Sequence, residues 1–310
     1  MLSDKKPKIV VFGGINMNLI TLSSRFPTPG ETVKGSYFYT ASGGKGANQA
    51  VAACKMGSDV KIIGRVGDDV FGSELITDLN THGVDTDGIS VDTANSSGVA
   101  VIILNDQREN QILATYGANA NCDNREVLIA EAALMNADAL MLQMETPYEI
   151  SLELAKIAKK SGVNVIWDPA PPIDFPEETY KYIDVLTPNQ TEALNLTGIE
   201  VDDITSAKSA AHILHDKGVR IVIIKLGDQG AYFVTDDQEG HVSSYDLPAV
   251  NTVAAGDAFG GAFTTTFCEG KSVEQSIRYG TAAGALAITK RGVQDSMPYR
   301  KYVEELVTSR

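Results

Sequence analysis

The chain has 310 residues, of which 43% are hydrophobic and 21% charged. This composition is sufficient for a buried core, which excludes the disordered and fibrous classes of protein. The formal net charge is −14 at pH 7, from 40 acidic and 26 basic residues, so the surface as a whole disfavours nucleic acids and anionic membranes as partners.

Short β-branched segments alternate with segments of helical periodicity along most of the chain. This alternation is typical of an α/β fold with a mostly parallel sheet and helices on both of its faces. Strands are predicted for KIVVF at 8–12, VKIIGRVG at 60–67, ALMLQM at 139–144, VNVIWD at 163–168, IDVLTPN at 183–189 and RIVIIKLG at 220–227. Helices are predicted over 69–82, 149–161, 205–217 and 257–269.

Two regions interrupt this alternation and show a period of two, which is typical of β-hairpins. They cover 18–42 and 97–116, and the second is predicted to turn at Asn105–Arg108. Strands inserted into an α/β chain indicate a small β-sheet attached to the main body. Since no linker composition separates the two parts, we expect one domain that spans residues 1–310.

Polar residues follow several predicted strands of the main sheet: Asn16, Glu145, Asp168, Asn189 and Lys225. In an open α/β sheet, ligands bind at the carboxyl ends of the strands. These side chains are therefore expected to converge on one rim. Such a rim suits a carbohydrate or a nucleotide, with its many hydroxyls or phosphates, better than an apolar ligand.

The segment GGKGANQA at 43–50 places glycines before a predicted helix of small residues. Glycines there allow backbone N–H groups to approach an oxygen-rich ligand, to which Lys45 and Asn48 add hydrogen-bond donors. The segment does not fit the GxxxxGK[ST] pattern of a nucleoside triphosphate loop. On these residues alone, a purely structural turn is the alternative.

The segment NTVAAGDAFGGAF at 251–263 carries one acid, Asp257, at the start of a predicted helix. Small residues leave the amides of Ala255, Gly256 and Asp257 free to bind an anion, which the helix dipole also favours. Asp257 is either the N-cap of this helix or a base that takes a proton from a nucleophile attacking that anion. The spacing i, i+4, i+8 predicts core positions for three aromatic residues, Phe259, Phe263 and Phe267.

Two further segments have a functional and a structural interpretation each. NQTE at 189–192 follows a strand and opens a helix. Its carboxylate and amide suit a water-mediated Mg²⁺ site near phosphates, and a helix-capping role is equally compatible with them. KLGDQG at 225–230 is either the turn of a hairpin or a loop over phosphates.

Other chemistries and locations fit the sequence poorly. No apolar run approaches the roughly 20 residues of a membrane span, and the apolar stretch before Gly13 is too short for a secretory signal. Cys54, Cys122 and Cys268 lie far apart without CxxC spacing, which predicts reduced thiols and a cytoplasmic location. FGGINMN at 12–18 lacks the GxGxxG pattern, so a dinucleotide-binding oxidoreductase is disfavoured.

In their order and spacing, GGKGANQA near 45, TPNQTEA near 190, KLGDQG near 225 and NTVAAGDAFGGAF near 257 resemble segments of the ribokinase-like carbohydrate and nucleoside kinases. The resemblance covers essentially the whole chain. It implies a three-layer α/β/α sandwich with a mostly parallel central sheet and a small β-sheet lid, formed by about 16–42 and 97–116. It also implies phosphate transfer from ATP, with Mg²⁺, to the primary hydroxyl of a pentose. D-Ribose is the expected acceptor, and another sugar or a nucleoside is the alternative.

The resemblance implies roles for individual residues. Asp257 is the expected base, and Ala254, Ala255 and Gly256 provide, with it, the expected anion hole for the γ-phosphate. Glu192 is expected to hold Mg²⁺ through water. The residues expected to border ATP are Asn189, Lys225, Leu226, Gly227, Asp228, Gln229, Gly230, Gly256 and Thr281. The residues expected to bind the sugar are Asn16, Met17, Asn18, Gly44, Lys45, Gly46, Ala47, Asn48, Glu145 and Asp257. Lids of this family often pair, which implies a homodimer.

Four positions depart from the family pattern. One of them is Gln190, which stands where an acid is usual, while Glu192 is retained. Asn18 stands where these kinases usually have an aspartate that binds two sugar hydroxyls, and Lys225 stands where a threonine is common. Asn251 replaces an aspartate that helps to hold an activating monovalent cation such as K⁺. The other ligands implied for this cation are Val253, Ala287, Lys290, Gly292 and Ser296. A non-catalytic binding protein of the same fold is a further alternative, although it has no reason to retain Gly256, Asp257, Asn189 and Glu192 together.

Overall fold

The computed structural model describes residues 6–107 and 109–310. Its strands are β1 Lys8–Phe12, β2 Asn16–Leu22, β3 Tyr37–Gly43, β4 Asp59–Gly67, β5 Asp85–Asp92, β6 Gly98–Leu104, β7 Asn110–Thr115, β8 Ala139–Leu142, β9 Asn164–Trp167, β10 Val185–Leu186, β11 Ile221–Lys225, β12 Ala231–Thr235 and β13 Glu239–Val242. Its α-helices are α1 Lys45–Lys55, α2 Val70–Thr81, α3 Asn124–Leu134, α4 Tyr148–Lys160, α5 Gln190–Thr197, α6 Ile204–Asp216, α7 Ala255–Cys268, α8 Val273–Ala287 and α9 Arg300–Thr308.

The main sheet has the strand order β13-β12-β11-β10-β9-β8-β1-β4-β5. Its pairs from β11 through to β5 are parallel, whereas β12 pairs antiparallel with both β11 and β13. The strands predicted from the sequence are β1, β4, β8, β9, β10 and β11. The sequence pattern did not indicate β5, β12 or β13, which lie at the two ends of the sheet. In β5 the sequence DTDGISVD is mostly polar, so it lacks the continuous apolar run of a buried parallel strand.

The side chains of β1 show how the sheet separates two hydrophobic layers. Ile9 and Val11 belong to one buried cluster, and Val10 and Phe12 belong to the other, because successive side chains of a strand point to opposite faces. The first cluster includes residues of α1, α2, α7, α8 and α9, and the second includes residues of α3, α4, α5 and α6. The fold is therefore the predicted three-layer α/β/α sandwich.

A smaller sheet has the strand order β3-β2-β6-β7. Its antiparallel pairs, β2 with β3 and β6 with β7, are the two predicted hairpins, and β2 and β6 join them in parallel. In the second hairpin, Asn105 N–H donates to Glu109 O at 3.1 Å. Arg108, the predicted end of this turn, lies outside the described residues.

Glycines bring the start of α1 against the loop that joins β1 to β2. Gly44 has a φ of 90°, a left-handed value that favours glycine, and a Cβ there would come within 2.4 Å of Gly14 O. A Cβ on Gly46 would lie 2.6 Å from the carbonyl carbon of Gly13. The GGKG segment is therefore a close-packed turn, and this packing sets α1 at the carboxyl end of β1.

Helix α7 packs in the same layer as α1. Phe259 and Phe263 are buried, and Phe267 packs against the same cluster, which confirms the predicted core positions. Gly261 permits the close approach of the two helices, because a Cβ there would lie 2.5 Å from that of Ala52. The start of α7 is thereby held beside the start of α1.

Within residues 6–107 and 109–310, no helix has both the length and the apolar character to cross a membrane. Cys54, Cys122 and Cys268 are all free thiols, as their spacing predicts.

Candidate active site

Helix α7 begins at Ala255, and Asp257 lies in its first turn. The N-cap is Ala254, which has a φ of 65° and makes no side-chain capping bond. The interpretation of Asp257 as the N-cap is therefore wrong. The first i to i−4 bond runs from Ala258 N–H to Ala254 O at 2.9 Å, so the N–H groups of Gly256 and Asp257 point out of the helix N-terminus. The left-handed backbone of a non-glycine N-cap is the kind of strain that is found at functional sites.

The carboxylate of Asp257 is held by two side-chain amides of α1. Asn48 Nδ2 donates to Oδ2 at 2.9 Å, and Gln49 Nε2 donates to Oδ1 at 3.2 Å. Burial raises the pKa of Asp257. Lys45 lowers this pKa through its charge, whereas Asp168 raises it. A buried, oriented acid of this kind is suited to accept a proton at a defined position.

A continuous line of hydrogen bonds leads from Asp257 to Lys225. Gln49 Nε2 also donates to Asp168 Oδ2 at 3.0 Å, and Lys225 Nζ donates to Asp168 Oδ1 at 2.9 Å. On its other side, Gln49 Oε1 accepts from Gln143 Nε2 at 2.7 Å. The sequence placed Asp168 at a strand end without assigning it to the site, and it left out Gln49 and Gln143. Gln49 lies inside the GGKGANQA motif, which was the available signal for it.

Lys45 lies among four carboxylates at this end of the sheet. Desolvation alone would lower its pKa, but the charges of Asp257, Asp168, Glu145 and Glu192 raise the pKa above its ordinary value. Its backbone N–H donates to Glu145 Oε2 at 2.7 Å. Burial raises the pKa of Glu145 to about 7. The cluster therefore combines a firmly charged ammonium with an acid that titrates near neutrality.

Asn189 and Glu192 form a reciprocal cap at the start of α5. Asn189 Oδ1 accepts from Glu192 N–H at 2.9 Å, and Glu192 Oε2 accepts from Asn189 N–H at 2.7 Å. The capping interpretation of NQTE is therefore correct. Burial raises the pKa of Glu192, and the charge of Asp168 raises it further. Both capping residues also line the cavity described next, so capping and ligand binding do not exclude each other.

A cavity of about 600 Å³ opens at the carboxyl ends of β9, β10 and β11. Its lining brings together residues from five parts of the sequence: Lys45, Asp168, 189–192, Lys225 and 254–257. The ammonium of Lys225 lies close to the α7 N-terminus, since a Cβ on Gly256 would be 3.3 Å from its Nζ. A cavity with free helix amides and an ammonium at one end is suited to a phosphate group.

The residues expected to border ATP separate into two groups. Asn189, Lys225, Gly227 and Gly256 line the cavity. The other predicted residues are not part of its lining, namely Leu226, Asp228, Gln229, Gly230 and Thr281. Leu226 is buried in the core cluster on the α3–α6 face, and Thr281 Oγ1 donates to Arg278 O at 3.0 Å. KLGDQG is the connection between the antiparallel strands β11 and β12, so its hairpin interpretation is correct.

The residues expected to bind the sugar differ in whether their side chains or only their backbone atoms are available to a ligand. Met17 and Ala47 are fully buried in the core cluster, which leaves only their backbone for a ligand. Asn16 is fixed by Asn119, whose Nδ2 donates to its Oδ1 at 2.8 Å. Asn18 lies two residues further along β2 against Gly43, where a Cβ would come within 2.2 Å of Asn18 Nδ2.

Several of the residues implied for a monovalent cation make hydrogen bonds to one another or to their neighbours. Asn251 Nδ2 donates to Gly292 O at 3.1 Å, and Asn251 Oδ1 accepts from Val253 N–H at 3.1 Å. The side-chain amide of Asn251 thus donates a hydrogen bond to the Gly292 carbonyl, and it carries no negative charge. Ser296 Oγ is directed to Val293 O at 2.7 Å. The side chain of Asn251 therefore joins the segment before α7 to the segment after α8.

Comparison with known proteins identifies the family. The model of the family described as "pfkB family carbohydrate kinase" matches residues 6–300 of this chain. The chain is 39% identical to a ribokinase of Haemophilus influenzae, over 96% of this chain and 98% of that protein. It is 36% identical to a deoxyribokinase of Salmonella typhi, over 94% of this chain and 95% of that protein. The solved structure of Arabidopsis thaliana ribokinase complexed with ribose and ATP matches with a TM-score of 0.90 at 32% identity, over 98% of this chain and 99% of that one. The chain therefore belongs to the pfkB family of carbohydrate kinases.

Proposed function

We propose that the protein transfers the γ-phosphate of ATP to the primary hydroxyl of D-ribose, which yields ribose 5-phosphate and ADP. The observation that carries the proposal is the position of Asp257, a buried acid whose own helix N-terminus faces the cavity. An acid there repels a bound phosphate unless it accepts the proton of the attacking hydroxyl. The ribokinase relatives support ribose as the acceptor.

The reaction follows from the groups around the cavity. The sugar oxygen attacks the γ-phosphorus, its proton passes to Asp257, and the bond between the γ-phosphorus and the bridging oxygen to the β-phosphate breaks, so that ADP leaves. The N–H groups of Gly256 and Asp257 face the charge that builds up on the transferring group. The ammonium of Lys225, close to Gly256, adds a positive charge at the same point.

Glu192 is the residue that we assign to Mg²⁺, through water, with Asn189 beside it. This donor set fits the ion, because Mg²⁺ prefers oxygen ligands, retains several waters and uses one or two carboxylates together with substrate phosphates. Both oxygens of Glu192 accept hydrogen bonds from Asn189, Oε2 from N–H at 2.7 Å and Oε1 from Nδ2 at 2.8 Å. The carboxylate is therefore held in place beside the cavity. When bound, Mg²⁺ supplies charge neutralisation at the phosphates.

We assign sugar binding to the polar groups at the roots of β2 and α1, namely Asn16, Asn18, Lys45, Asn48 and Glu145. A specific observation favours a second acceptor. Asn18 presents a neutral amide in place of the aspartate expected for two neighbouring hydroxyls. One relative, the Salmonella typhi deoxyribokinase, has a different sugar in its name. 2-Deoxyribose is therefore the second candidate. Asn18→Asp is expected to raise the preference for ribose over 2-deoxyribose, measured as the ratio of kcat/KM values.

We propose that the smaller sheet is the lid of the site and that two lids pair in a homodimer. Its strands expose several large apolar side chains, with exposed fractions of 63% for Tyr37, 60% for Phe38, 54% for Ile112 and 70% for Leu113. A set of exposed apolar side chains on one small sheet is typical of a protein–protein interface. A cytoplasmic location, which the free thiols favour, belongs to the same proposal.

We further propose that transfer does not depend on a monovalent cation. The support is the hydrogen bond from Asn251 to the Gly292 carbonyl, which joins the segment before α7 to the segment after α8. An amide that makes this connection itself removes the need for an ion there.

The proposed reaction is tested with Asp257→Asn. ADP release with ribose is expected to fall by about 10²- to 10⁴-fold, the usual contribution of a general base, while ATP binding measured by calorimetry is retained. Asp237→Asn, at an exposed position, is the control and should keep wild-type activity. Near-normal turnover of Asp257→Asn would refute the assignment of the base. A panel of pentoses, hexoses and nucleosides then identifies the acceptor.

A further inference from the structure

Two buried glutamines lie directly beneath the proposed site. The exposed fraction is 1% for Gln49 and 0% for Gln143, and neither belongs to the cavity lining. They come from different elements, since Gln49 is in α1 and Gln143 follows β8. Buried amides are costly unless their hydrogen-bonding groups are satisfied, so their position among ionised groups requires an explanation.

The hydrogen bonds of Gln49 account for its whole side-chain amide. Its Nε2 carries two hydrogens, and it donates to Asp168 Oδ2 at 3.0 Å and to Asp257 Oδ1 at 3.2 Å. One NH₂ group therefore spans the two carboxylates, with Lys225 on the far side of Asp168. Without this shared donor, the two carboxylates, each within 3.2 Å of the same nitrogen, would repel each other.

Gln143 determines which way the amide of Gln49 faces. Gln143 Nε2 donates to Gln49 Oε1 at 2.7 Å. If the Gln49 amide were reversed, its oxygen would face two carboxylates and its NH₂ group would face the donor of Gln143. Both contacts would then be unfavourable, because an amide nitrogen cannot accept and a carboxylate cannot donate.

Gln143 packs closely against the loop between β1 and β2. A Cβ added at Gly13 would lie 1.9 Å from Gln143 Oε1, so the glycine of the β1–β2 loop leaves space for this amide. Gln143 Oε1 is also buried without a hydrogen-bond partner among the described residues. This cost is consistent with an orientation that is fixed by the other end of the amide, where Gln143 meets Gln49.

We propose that Gln49 is a positioning residue, oriented by Gln143, that fixes the base Asp257 at a set distance from the Asp168–Lys225 pair at the phosphate end of the cavity. The inference rests on the proposed phosphate transfer. Gln49 adds to this reaction a structural link between Asp257, which takes the proton, and Lys225, the cation that faces the phosphate. In-line transfer depends on such spacing, and a displacement of about 1 Å can cost about 100-fold in rate.

The electrostatic surroundings give this link a measurable signature. Asp257 faces Lys45 from α1, Asp168 from the end of β9, Glu145 from the end of β8 and, beyond Gly256, Lys225 from β11. The N–H of Gln49 stabilises the carboxylate form of Asp257 and so lowers its pKa, in opposition to burial. Removal of this donor raises the pKa of Asp257, and the rate falls as the base becomes protonated. The acid limb of the pH–rate profile therefore shifts to higher pH.

The experiment uses Gln49→Met and Gln143→Met, which keep the side-chain length and remove the amide. Gln49→Met is expected to lower kcat by about 10- to 100-fold, with KM for ATP and sugar little changed, and to move the acid limb of the pH–kcat profile upward. Gln143→Met is expected to produce a smaller change in the same direction. Because both act on one contact, the double variant should resemble Gln49→Met alone.

The matched control is Gln294→Met. Gln294 is also a buried glutamine, and both of its side-chain polar atoms are without partners among the described residues. This variant should leave kcat and the pH profile as in the wild type. The proposal is overturned if kcat and the acid limb of both Gln49→Met and Gln143→Met match those of the control. If Gln49→Met does not fold, Gln143→Met alone decides by the same criterion. Failure of the proposed function is separate, because the wild-type protein itself would then release no ADP with any acceptor.

Discussion

The ion pair between Lys225 and Asp168 allows the electrostatics of the site to be tested independently of its chemistry. Lys225 Nζ lies 2.9 Å from Asp168 Oδ1, and the two side chains are only 13% and 6% exposed. Lys225→Met keeps most of the apolar length of the side chain but removes the charge. Asp168 would then remain buried, with Gln49 as its remaining side-chain donor.

The magnitude follows from the distance and the burial. Two unit charges 2.9 Å apart attract by about 6 kcal/mol at an effective dielectric constant of about 20. Part of this attraction is offset in the wild type by the desolvation of both groups. Loss of one partner of a buried pair costs about 3–5 kcal/mol. We therefore expect the free energy of unfolding of Lys225→Met to be lower by about that amount.

The assay is denaturant unfolding of four proteins: the wild type, Lys225→Met, Asp168→Asn and the double variant. Asp168→Asn in the Lys225→Met background removes the unpaired charge and keeps an oxygen that can accept from Gln49. The double variant should regain most of the lost free energy of unfolding, while its kcat stays low because the cation at the phosphate is missing. A loss below about 1 kcal/mol in Lys225→Met, the range of exposed pairs, would refute this reasoning.

Three further predictions concern other parts of the molecule. Burial raises the pKa of Glu145 from 4.5 to about 7, so between these values the folded protein holds a proton that the unfolded chain has lost. The contribution of Glu145 to the free energy of unfolding therefore falls as pH rises through this window, and denaturant unfolding of Glu145→Gln at pH 5 and pH 7 should lack this decrease. Turnover is expected to be the same in potassium, sodium and choline chloride, whereas Asn251→Asp should make it respond to potassium; an activation of the wild type by potassium would contradict the role given to Asn251. Leu113→Lys, on an exposed apolar position of the lid, is expected to convert a dimer into a monomer in light scattering, with Leu128→Lys on α3 as the control for an exposed leucine elsewhere.

Much of the fold follows from local sequence patterns. The β-branched runs of β1, β4 and β11 and the periodicity of α2, α4 and α6 predict these elements because each buries a continuous or periodic apolar surface. The strands β5, β12 and β13 were not predicted, and two of them, β5 and β13, are the edge strands of the main sheet. Edge strands are less buried, so they do not require the apolar pattern that marks a central strand. β12 lies between β11 and β13 and is buried, but its apolar run AYFVT is short, and periodicity alone does not assign such a run to a strand.

In the candidate site, too, some features follow from local sequence and others depend on the tertiary structure. The short motifs GGKGAN, NQTE and AAGD each indicate a local geometry, such as a glycine turn or a helix N-terminus, which depends on a few neighbouring residues. Lys45, Asn48, Asn189, Glu192 and Asp257 could thus be selected from the sequence. The choice between capping and catalysis could not be made there, because it depends on what lies across the cavity.

Local sequence patterns are enough to give the order of the central elements, the alternation that assigns Ile9 and Val10 to opposite layers, and the segments that form the rim. Which side chains meet becomes clear only when the elements are packed together. Gln49, Gln143 and Asp168 lie on separate elements, and Gln49 contacts the other two and Asp257 within 3.2 Å. The physical reason is that hydrogen bonds between distant segments depend on how the helices pack on the sheet, and residue spacing along the chain carries no record of that packing.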